Sequence, residues 1–299
     1  MKNDNRDENN SKVEPQESMV YHRSVSAAQG AKWLKSAYGI FKRAKGVWMG
    51  IGAFIFVASL LPVLSSIVII LMPLLVGGLM IGCARSNSGS PMKFDALFSG
   101  FKQNTQSLLV LSSINLAALI LAIMLTMEIS TWFGFDLSVL VPENMESGNA
   151  QELIAWMQAI DPVLYLQTFF VGMLIFFTLM TPVIMFFWFA PALVCLRQIS
   201  PINALKMSFL ACQNNKMAFF LYGLVAASYL LLYFFALTLI ASLAAPLMLP
   251  VSIVGYIAGF SISLISIYIS YLDIFPENSS DGSGVEHINT PSEEGNMLA

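Results

Sequence analysis

Residues 217–272 read MAFFLYGLVAASYLLLYFFALTLIASLAAPLMLPVSIVGYIAGFSISLISIYISYL and contain no Asp, Glu, Lys or Arg. A helix needs roughly 20 apolar residues, each rising about 1.5 Å, to cross about 30 Å of hydrocarbon. In lipid, a helix also satisfies its own backbone hydrogen bonds over such a run. The stretch is long enough for two crossings, and Pro246 with Pro250 predicts a turn between them, over Ala245–Pro250.

Three further uncharged stretches are long enough to cross a membrane. They are Val47–Ala84, Thr105–Met127 and Pro162–Leu196. The whole chain of 299 residues is 57% hydrophobic and 11% charged, whereas a soluble domain carries roughly 25% charged residues. The composition therefore predicts an all-α, polytopic membrane helix bundle.

The basic residues predict the orientation of the chain, because Lys and Arg resist translocation across the membrane. All 15 of them precede Val47 or lie in Arg85–Lys102 or Arg197–Lys216. The segment Glu128–Asp161 contains none and carries only acidic charges. We therefore expect both termini and the three basic segments to be cytoplasmic, and an outer loop over residues 128–162.

This orientation fixes the number of crossings. Val47–Ala84 has basic residues on both sides, so it must be a hairpin, with a break near Pro62–Ser66. Pro162–Leu196 joins an acidic to a basic segment, so it crosses once, with kinks predicted at Thr181-Pro182 and Ala190-Pro191. Six spans in three hairpins follow, over residues 47–62, 64–84, 106–127, 165–192, 217–243 and 248–271. The first is short, which leaves a re-entrant first hairpin as an alternative.

The remaining segments are polar. We expect a membrane domain over residues 26–276 between disordered tails, 1–25 and an acidic 277–299. The N-terminal segment has no apolar stretch before Val47, so no cleaved secretory signal is expected. In the outer loop, apolar residues at helical spacing predict a short amphipathic helix after Asn149. These residues are Leu153, Trp156, Met157 and Ile160.

A similar cytoplasmic segment precedes each outward excursion. Arg85–Asn104 and Arg197–Asn214 both have a Pro followed by Gln-Asn where the next span begins, and Gly30–Trp48 resembles them without the Pro. The unit predicted is a cytoplasmic interfacial helix followed by a helical hairpin, used three times. The alternative is that any loop between two spans is short, polar and slightly basic.

The first interfacial helix supplies candidate contacts to lipid headgroups. Its apolar residues Trp33, Ala37, Ile40 and Phe41 fit a helix lying in the interface, with Lys stems reaching the headgroups. Each basic residue near an anionic surface contributes about 1 kcal/mol. The alternative is that these residues set topology only. The candidates are Lys32, Lys35, Lys42, Arg43 and Lys45.

Chemistry inside the membrane has few candidate groups. No span has a central ionisable residue, and His22 and His287 lie in the polar tails. An embedded enzyme would need acids clustered around Glu128 and Asp161. We therefore expect no enzyme, no catalytic residue, no metal and no cofactor.

The three cysteines lack CxxC spacing and are expected to be reduced structural thiols, and no Lys/Arg stripe indicates nucleic acid. They are Cys83, Cys195 and Cys212.

Four polar residues in the spans are candidate intramembrane contacts: Asn115, Gln167, Thr178 and Thr181. Ser and Thr in membrane helices usually bond to the i−4 carbonyl or to a neighbouring helix. A permease or channel for an uncharged or amphipathic solute would instead require these four side chains to converge on one cavity.

The run Phe189–Phe209, FAPALVCLRQISPINALKMSF, resembles a family of bacterial six-helix inner-membrane proteins, the BPSS-type hypothetical transmembrane proteins. Gly30-x-x-Trp33 with Phe41 and Trp48, and Ser270–Phe275, add to the resemblance, which covers about residues 26–276. Gln213-Asn214-Asn215 departs from a more basic Arg-Asn pair in the family. The resemblance implies a bacterial inner membrane and six spans, and it brings no activity.

Together these observations favour a non-enzymatic inner-membrane protein that acts by binding or by organising the membrane. Its expected partners are membrane lipids, with another membrane protein as an alternative, and no nucleic acid.

Overall fold

The computed structural model describes residues 22–140 and 150–276, and every regular element in these ranges is helical. Most of the tails predicted to be disordered, and part of the outer loop, lie outside the described residues. The α-helices are α1 (Ala27–Arg43), α2 (Lys45–Leu60), α3 (Pro62–Asn87), α4 (Thr105–Trp132), α5 (Ala150–Ala159), α6 (Pro162–Phe187), α7 (Ala190–Arg197), α8 (Pro201–Asn214), α9 (Lys216–Leu243) and α10 (Ala245–Ile274). Two 3-10 helices are η1 (Phe94–Phe101) and η2 (Leu137–Leu140).

The all-helical membrane architecture agrees with the composition. Among the described residues, five helical segments are long and apolar enough to cross a membrane: Pro62–Asn87, Thr105–Trp132, Pro162–Arg197, Lys216–Leu243 and Ala245–Ile274. A sixth arises if α1 and α2 are counted together, although they are bent by 104° at their junction. The 16 residues of α2 span about 24 Å, less than the roughly 30 Å of a hydrocarbon core.

The break predicted in the first hairpin is confirmed. α2 ends at Leu60, Leu61 is extended (φ −100°, ψ 119°), and α3 begins at Pro62. Proline suits this position because the first helical N–H has no acceptor within the helix. The Pro62 carbonyl then accepts hydrogen bonds from Ser65 and Ser66, at 2.8 and 3.1 Å.

The break in the last hairpin is shorter than predicted. Only Ala244 separates α9 from α10, and Pro250 lies inside α10. Pro246 occupies the first turn, where its missing N–H removes no hydrogen bond. Pro250 removes only one hydrogen bond near the start of α10, so the chain continues as a helix through the predicted turn.

The long fourth uncharged stretch is one helical segment with one break. α6 continues through Thr181-Pro182, with Pro182 inside the helix, so the bend predicted there stays a prediction. The break falls at Trp188 and Phe189, just before Pro191 in the first turn of α7, close to the predicted kink at Ala190-Pro191.

The segments that precede the spans are helical but not identical. α1 and α8 are α-helices, whereas residues 94–101 form a 3-10 helix. The internal repeat is therefore approximate in structure. The short helix predicted after Asn149 is present as α5.

The spans pack in the order α9, α10, α2, α3, α4, α6, so that the last hairpin lies beside the first. α1 lies on both α9 and α10, η1 packs on α3, and α7 lies between α3 and α8. Burial is concentrated in Pro73–Cys83 of α3, in α7 and in the second half of α10. The core is therefore at one end of the bundle.

Glycines permit close backbone approaches in this core. A Cβ at Gly78 would lie 2.6 Å from the carbonyl oxygens of Ala96 and Leu97, and a Cβ at Gly30 would overlap the carbonyl oxygen of Ala218. In lipid, where apolar contact alone holds helices together weakly, such approaches increase packing between helices.

Gly30→Ala tests the contact between α1 and α9. The added methyl group must displace backbone, so we expect a loss of about 1–3 kcal/mol of stability, measured as a lower melting temperature in detergent. Gly39→Ala in the same helix is the matched control, because no atom lies within 4 Å of its Cβ and Ala favours a helix over Gly. Equal melting temperatures for the two variants would contradict this packing.

Candidate functional site

The three basic segments lie at the same end of the bundle, where the core is. The backbone N–H of Arg23 donates to the carbonyl of Ile274 at 2.9 Å, which places the N-terminal segment at the end of α10. The side chain of Asn104, at the start of α4, donates to the Val194 carbonyl of α7 at 3.2 Å. We call this the basic end: residues 22–47, 85–104, 197–216 and 273–276.

Asp273 links α1 to the last span. Its Oδ2 accepts hydrogen bonds from Trp33 Nε1 at 2.7 Å and from Gln29 Nε2 at 2.8 Å. Its backbone carbonyl accepts a further bond from Arg23 Nε at 2.6 Å. Trp33 is buried, so a carboxylate that satisfies its indole N–H fixes the register of α1 on α10.

Asn215 links the N-terminal segment to the junction of α8 and α9. It is 2% exposed, and its Oδ1 accepts a hydrogen bond from the Val25 N–H at 2.7 Å. Its Nδ2 donates to the carbonyls of Arg23 and Ala211, at 3.1 and 2.8 Å. A buried amide whose donors and acceptor are all hydrogen-bonded favours a single arrangement of the N-terminal segment relative to α8 and α9.

Aromatic rings fill the space beneath these two links. Trp33 contacts Phe219 and Tyr222 of α9, with ring centroids 5.2 and 5.8 Å apart. Trp188 contacts the same two rings from the other side, at 5.4 and 5.9 Å. Its indole N–H also donates to Ser270 Oγ at 3.2 Å. Edge-on aromatic packing of this kind joins α1, α6, α9 and α10.

Arg197 holds the chain that follows α10. Its Nη2 donates to the carbonyl of Pro276 at 2.9 Å and to that of Phe275 at 3.4 Å, and its Nε donates to the Tyr271 hydroxyl at 3.2 Å. The guanidinium therefore supplies donors to the carbonyls of the two residues that follow α10.

The segments that carry the family resemblance converge on this cluster. Trp33, Phe189 and Phe275 are all in the buried core, although they are far apart in sequence. Sequence reasoning missed the roles of Asp273, Asn215 and Arg197. The available signal was that Asp273 is the first charged residue after Lys216, so it marks the end of the last span.

The five predicted headgroup contacts are all exposed. Lys32, Lys35, Lys42 and Arg43 project from α1 on the side opposite the buried stripe, and Lys45 begins α2. The stripe, Gly30, Trp33, Ala37 and Phe41, packs on α9 and α10. The apolar face of α1 therefore contacts the protein instead of lying in the bilayer as the sequence suggested.

The four predicted intramembrane contacts do not form one polar cluster. Gln167, Thr178 and Thr181 are exposed on α6, and the two Thr hydroxyls bond to the i−4 carbonyls of Leu174 and Phe177, at 2.7 and 2.8 Å. Asn115 is half-buried and forms no hydrogen bond with the described residues. The predicted convergence fails because each Thr satisfies its hydroxyl within its own helix.

None of the four lines the cavity between α4 and α6. This cavity has a volume of about 200 Å³ and an apolar lining that includes Ile123, Met127, Leu137 and Phe169. The polar side chain that lines it among the described residues is Thr126, whose hydroxyl donates to the Ala122 carbonyl of its own helix at 2.7 Å. This hydroxyl is therefore already paired and does not orient an uncharged solute.

The acids at the opposite end have local roles. Asp161 Oδ1 caps α6 by accepting from the Val163 N–H at 2.9 Å, and Glu128 accepts from Trp132 Nε1 at 3.1 Å. The N–H of Ser138, 2.9 Å from Asp136 Oδ1, lowers the pKa of Asp136. Among the described residues, no three His, Cys, Asp or Glu side chains are grouped to hold a metal.

The three cysteines are buried free thiols. Cys212 lies in α8, and burial raises the pKa of its thiol to about 12. At neutral pH it is fully protonated, so it behaves as a small apolar side chain and not as a nucleophile.

Asp273→Ala tests the link between α1 and the last span. Leaving the buried Trp33 indole N–H without its acceptor costs about 1–3 kcal/mol, so we expect amide exchange in residues 23–33 to accelerate roughly tenfold or more. Asp95→Ala is the control, because the exposed Asp95 carboxylate forms no hydrogen bond with the described residues. Unchanged exchange in Asp273→Ala would contradict the assignment.

Comparison with known proteins agrees with this architecture. The chain is a distant homologue of a protein from Burkholderia thailandensis named as a probable inner membrane protein. The two are 28% identical over 216 residues, which cover 67% of this chain and 73% of the relative. No family model matches the chain, and no solved structure gives a significant match.

The relative confirms the resemblance to bacterial inner-membrane proteins noted in the sequence. With the five to six candidate spans, it identifies the chain as a polytopic protein of the inner membrane.

Proposed function

We propose that this protein is non-enzymatic and binds the anionic lipid headgroups of the cytoplasmic leaflet through the basic face of α1. The observation that carries the proposal is the division of α1 into two faces. Its apolar stripe is covered by α9 and α10, and its basic side chains are exposed. None of the five basic residues forms an ion pair with a described acid, so their charge is available to a partner.

The same arrangement supports an orientation with both termini in the cytoplasm. The three basic segments lie at one end of the bundle, as the positive-inside rule requires of cytoplasmic loops. The hairpins are then α2–α3, α4 with α6 and α7, and α9–α10. They are preceded at the cytoplasmic interface by α1, η1 and α8, respectively.

The short helix η1 supports a position at the membrane surface. Phe94, Phe98 and Phe101 are exposed on it, and Lys93 and Lys102 flank them. Apolar rings between lysines fit a segment whose rings enter the acyl boundary while the ammonium groups reach headgroups. A second element at the basic end thus has the character of a lipid-contacting surface.

Electrostatics favour an anionic lipid over a neutral one. Each exposed Lys or Arg near the surface contributes about 1 kcal/mol, so the five residues together supply several kcal/mol. Lys42 also lies 4.8 Å above the ring of Tyr38, which holds its ammonium group on the exposed side of α1.

The orientation can be tested with single cysteines, because the native thiols are buried. In intact cells, a membrane-impermeant maleimide should label Ser138→Cys, which lies opposite the basic end. It should label Ser90→Cys, at the basic end, only after permeabilisation. Both positions are exposed, so accessibility of the side chain is matched. Labelling of Ser90→Cys in intact cells would contradict the proposed orientation.

The first hairpin has its own test with the same reagent. If α2 and α3 both cross the membrane, Leu61→Cys at the exposed break between them is labelled from outside. Labelling from neither side, despite a folded protein, would indicate a re-entrant hairpin.

The lipid proposal is tested by Lys32→Gln, Lys35→Gln and Lys42→Gln combined in one chain. Losing three charges removes about 3 kcal/mol, so we expect roughly a hundredfold lower preference for phosphatidylglycerol over phosphatidylcholine. The measurement is bound lipid in mixed detergent micelles by native mass spectrometry. Added salt should weaken wild-type binding in the same direction.

The matched variant changes the same three lysines to Arg. It retains their charge, so phosphatidylglycerol preference should persist. A wild-type protein that binds both lipids equally would refute the proposal.

A further inference from the structure

A small cavity lies where α1 bends by 104° into α2 and meets the end of α3. Its volume is about 40 Å³, and its lining includes Arg43, Ala44, Trp48, Cys83, Ser86 and Asn87. A water needs about 10–15 Å³ of such space. The cavity therefore has room for roughly three water-sized groups, enough for the oxygens of one phosphate entering from the surface.

The polar groups around this cavity are mostly donors. Arg43 supplies a guanidinium, and Ser86 and Asn87 supply a hydroxyl and an amide. None of these three side chains is hydrogen-bonded to a described residue. Among the described residues, no carboxylate lines the cavity.

Trp48 adds an unpaired buried donor. The residue is 1% exposed, and its Nε1 has no hydrogen-bond partner among the described residues. Buried donors are nearly always paired in folded proteins, so an unpaired one beside a cavity indicates a missing acceptor. By contrast, the indole N–H groups of Trp33 and Trp188 both have acceptors.

Helix ends alone do not decide the charge of a ligand here. α2 begins at this point and favours an anion, whereas α1 and α3 end beside it and favour a cation. These partial charges are each about half an elementary charge, while Arg43 carries a full positive charge. Lys45 and Arg85, at the adjacent helix ends, add to it. The side chains therefore select an anion.

We propose that this cavity binds one phosphate group, with Arg43 and the Trp48 indole N–H as donors to its oxygens. The inference rests on the proposed function and makes it more specific, because the phosphate of a cytoplasmic-leaflet phospholipid is the source at hand where α2 enters the membrane. Free phosphate has the same chemistry and is the other source.

The test uses the purified full chain in an uncharged detergent, titrated with dioctanoyl phosphatidylglycerol and, separately, with inorganic phosphate. We expect one saturable phosphatidylglycerol per chain. Arg43→Gln and Trp48→Phe should each weaken it roughly tenfold or more, because each removes a hydrogen bond to a charged acceptor. Trp48→Phe removes the donor but retains an aromatic ring, and Arg43 is exposed, so both chains should fold.

Matched controls separate the site from general attraction. Lys206→Gln removes a positive charge from α8 at the same end, and Trp132→Phe removes an indole at the opposite end; both residues are exposed. Each should retain wild-type affinity within about twofold, since neither lines the cavity.

The outcomes distinguish this inference from the function on which it rests. If phosphatidylglycerol binds equally to wild type, Arg43→Gln and Trp48→Phe, the cavity is not the site, although lipid binding stands. If inorganic phosphate binds in an Arg43- and Trp48-dependent way while phosphatidylglycerol does not, the phosphate site stands and lipid binding is refuted. If neither probe binds saturably, the inference is overturned.

Discussion

The carboxylate of Asp273, which accepts hydrogen bonds from Trp33 and Gln29, holds the N-terminal helix against the last span. In lipid, helices gain little by burying apolar surface, so close packing and polar links must hold them together. Here a link of each kind joins α1 to the bundle: Asp273 on α10 and the Gly30–Ala218 approach on α9. Because α1 is fixed in this way, its basic side chains point away from the protein.

The two ends of the bundle consequently differ. At the basic end, Arg197, Asn215 and Asp273 form hydrogen bonds with segments that are distant in sequence. At the other end, the side chains of Asp161 and Glu128 bond to described residues within four positions along the chain. Much of α6 and α9 is exposed apolar surface. This difference suits a protein that recognises lipid headgroups. Recognition requires polar groups held in fixed positions, as at the basic end, whereas the spans need only apolar side chains that face the lipid tails.

The spans were predictable because a run of uncharged residues is a local property. The exact breaks were not, since Pro250 is compatible with a helix when only one hydrogen bond is lost near its start. The site was less predictable. The spacing of Trp33, Ala37 and Phe41 showed an apolar face but not whether lipid or protein covers it. Thr178 and Thr181 look identical in sequence whether they bond to their own helix or line a path. Asp273 and Asn215 both bond to the N-terminal segment, 190 or more residues away, which no periodicity reveals.

The central claim is that the basic end binds anionic lipid. The most direct measurement is to extract the full chain gently from its native membrane and weigh what remains bound by native mass spectrometry. We expect a phospholipid with an anionic headgroup, held in a fixed ratio to the chain and lost when Lys32, Lys35 and Lys42 are changed to Gln. A protein that retains a polar solute and no lipid, or that carries lipids in the proportions of the surrounding membrane, would contradict it.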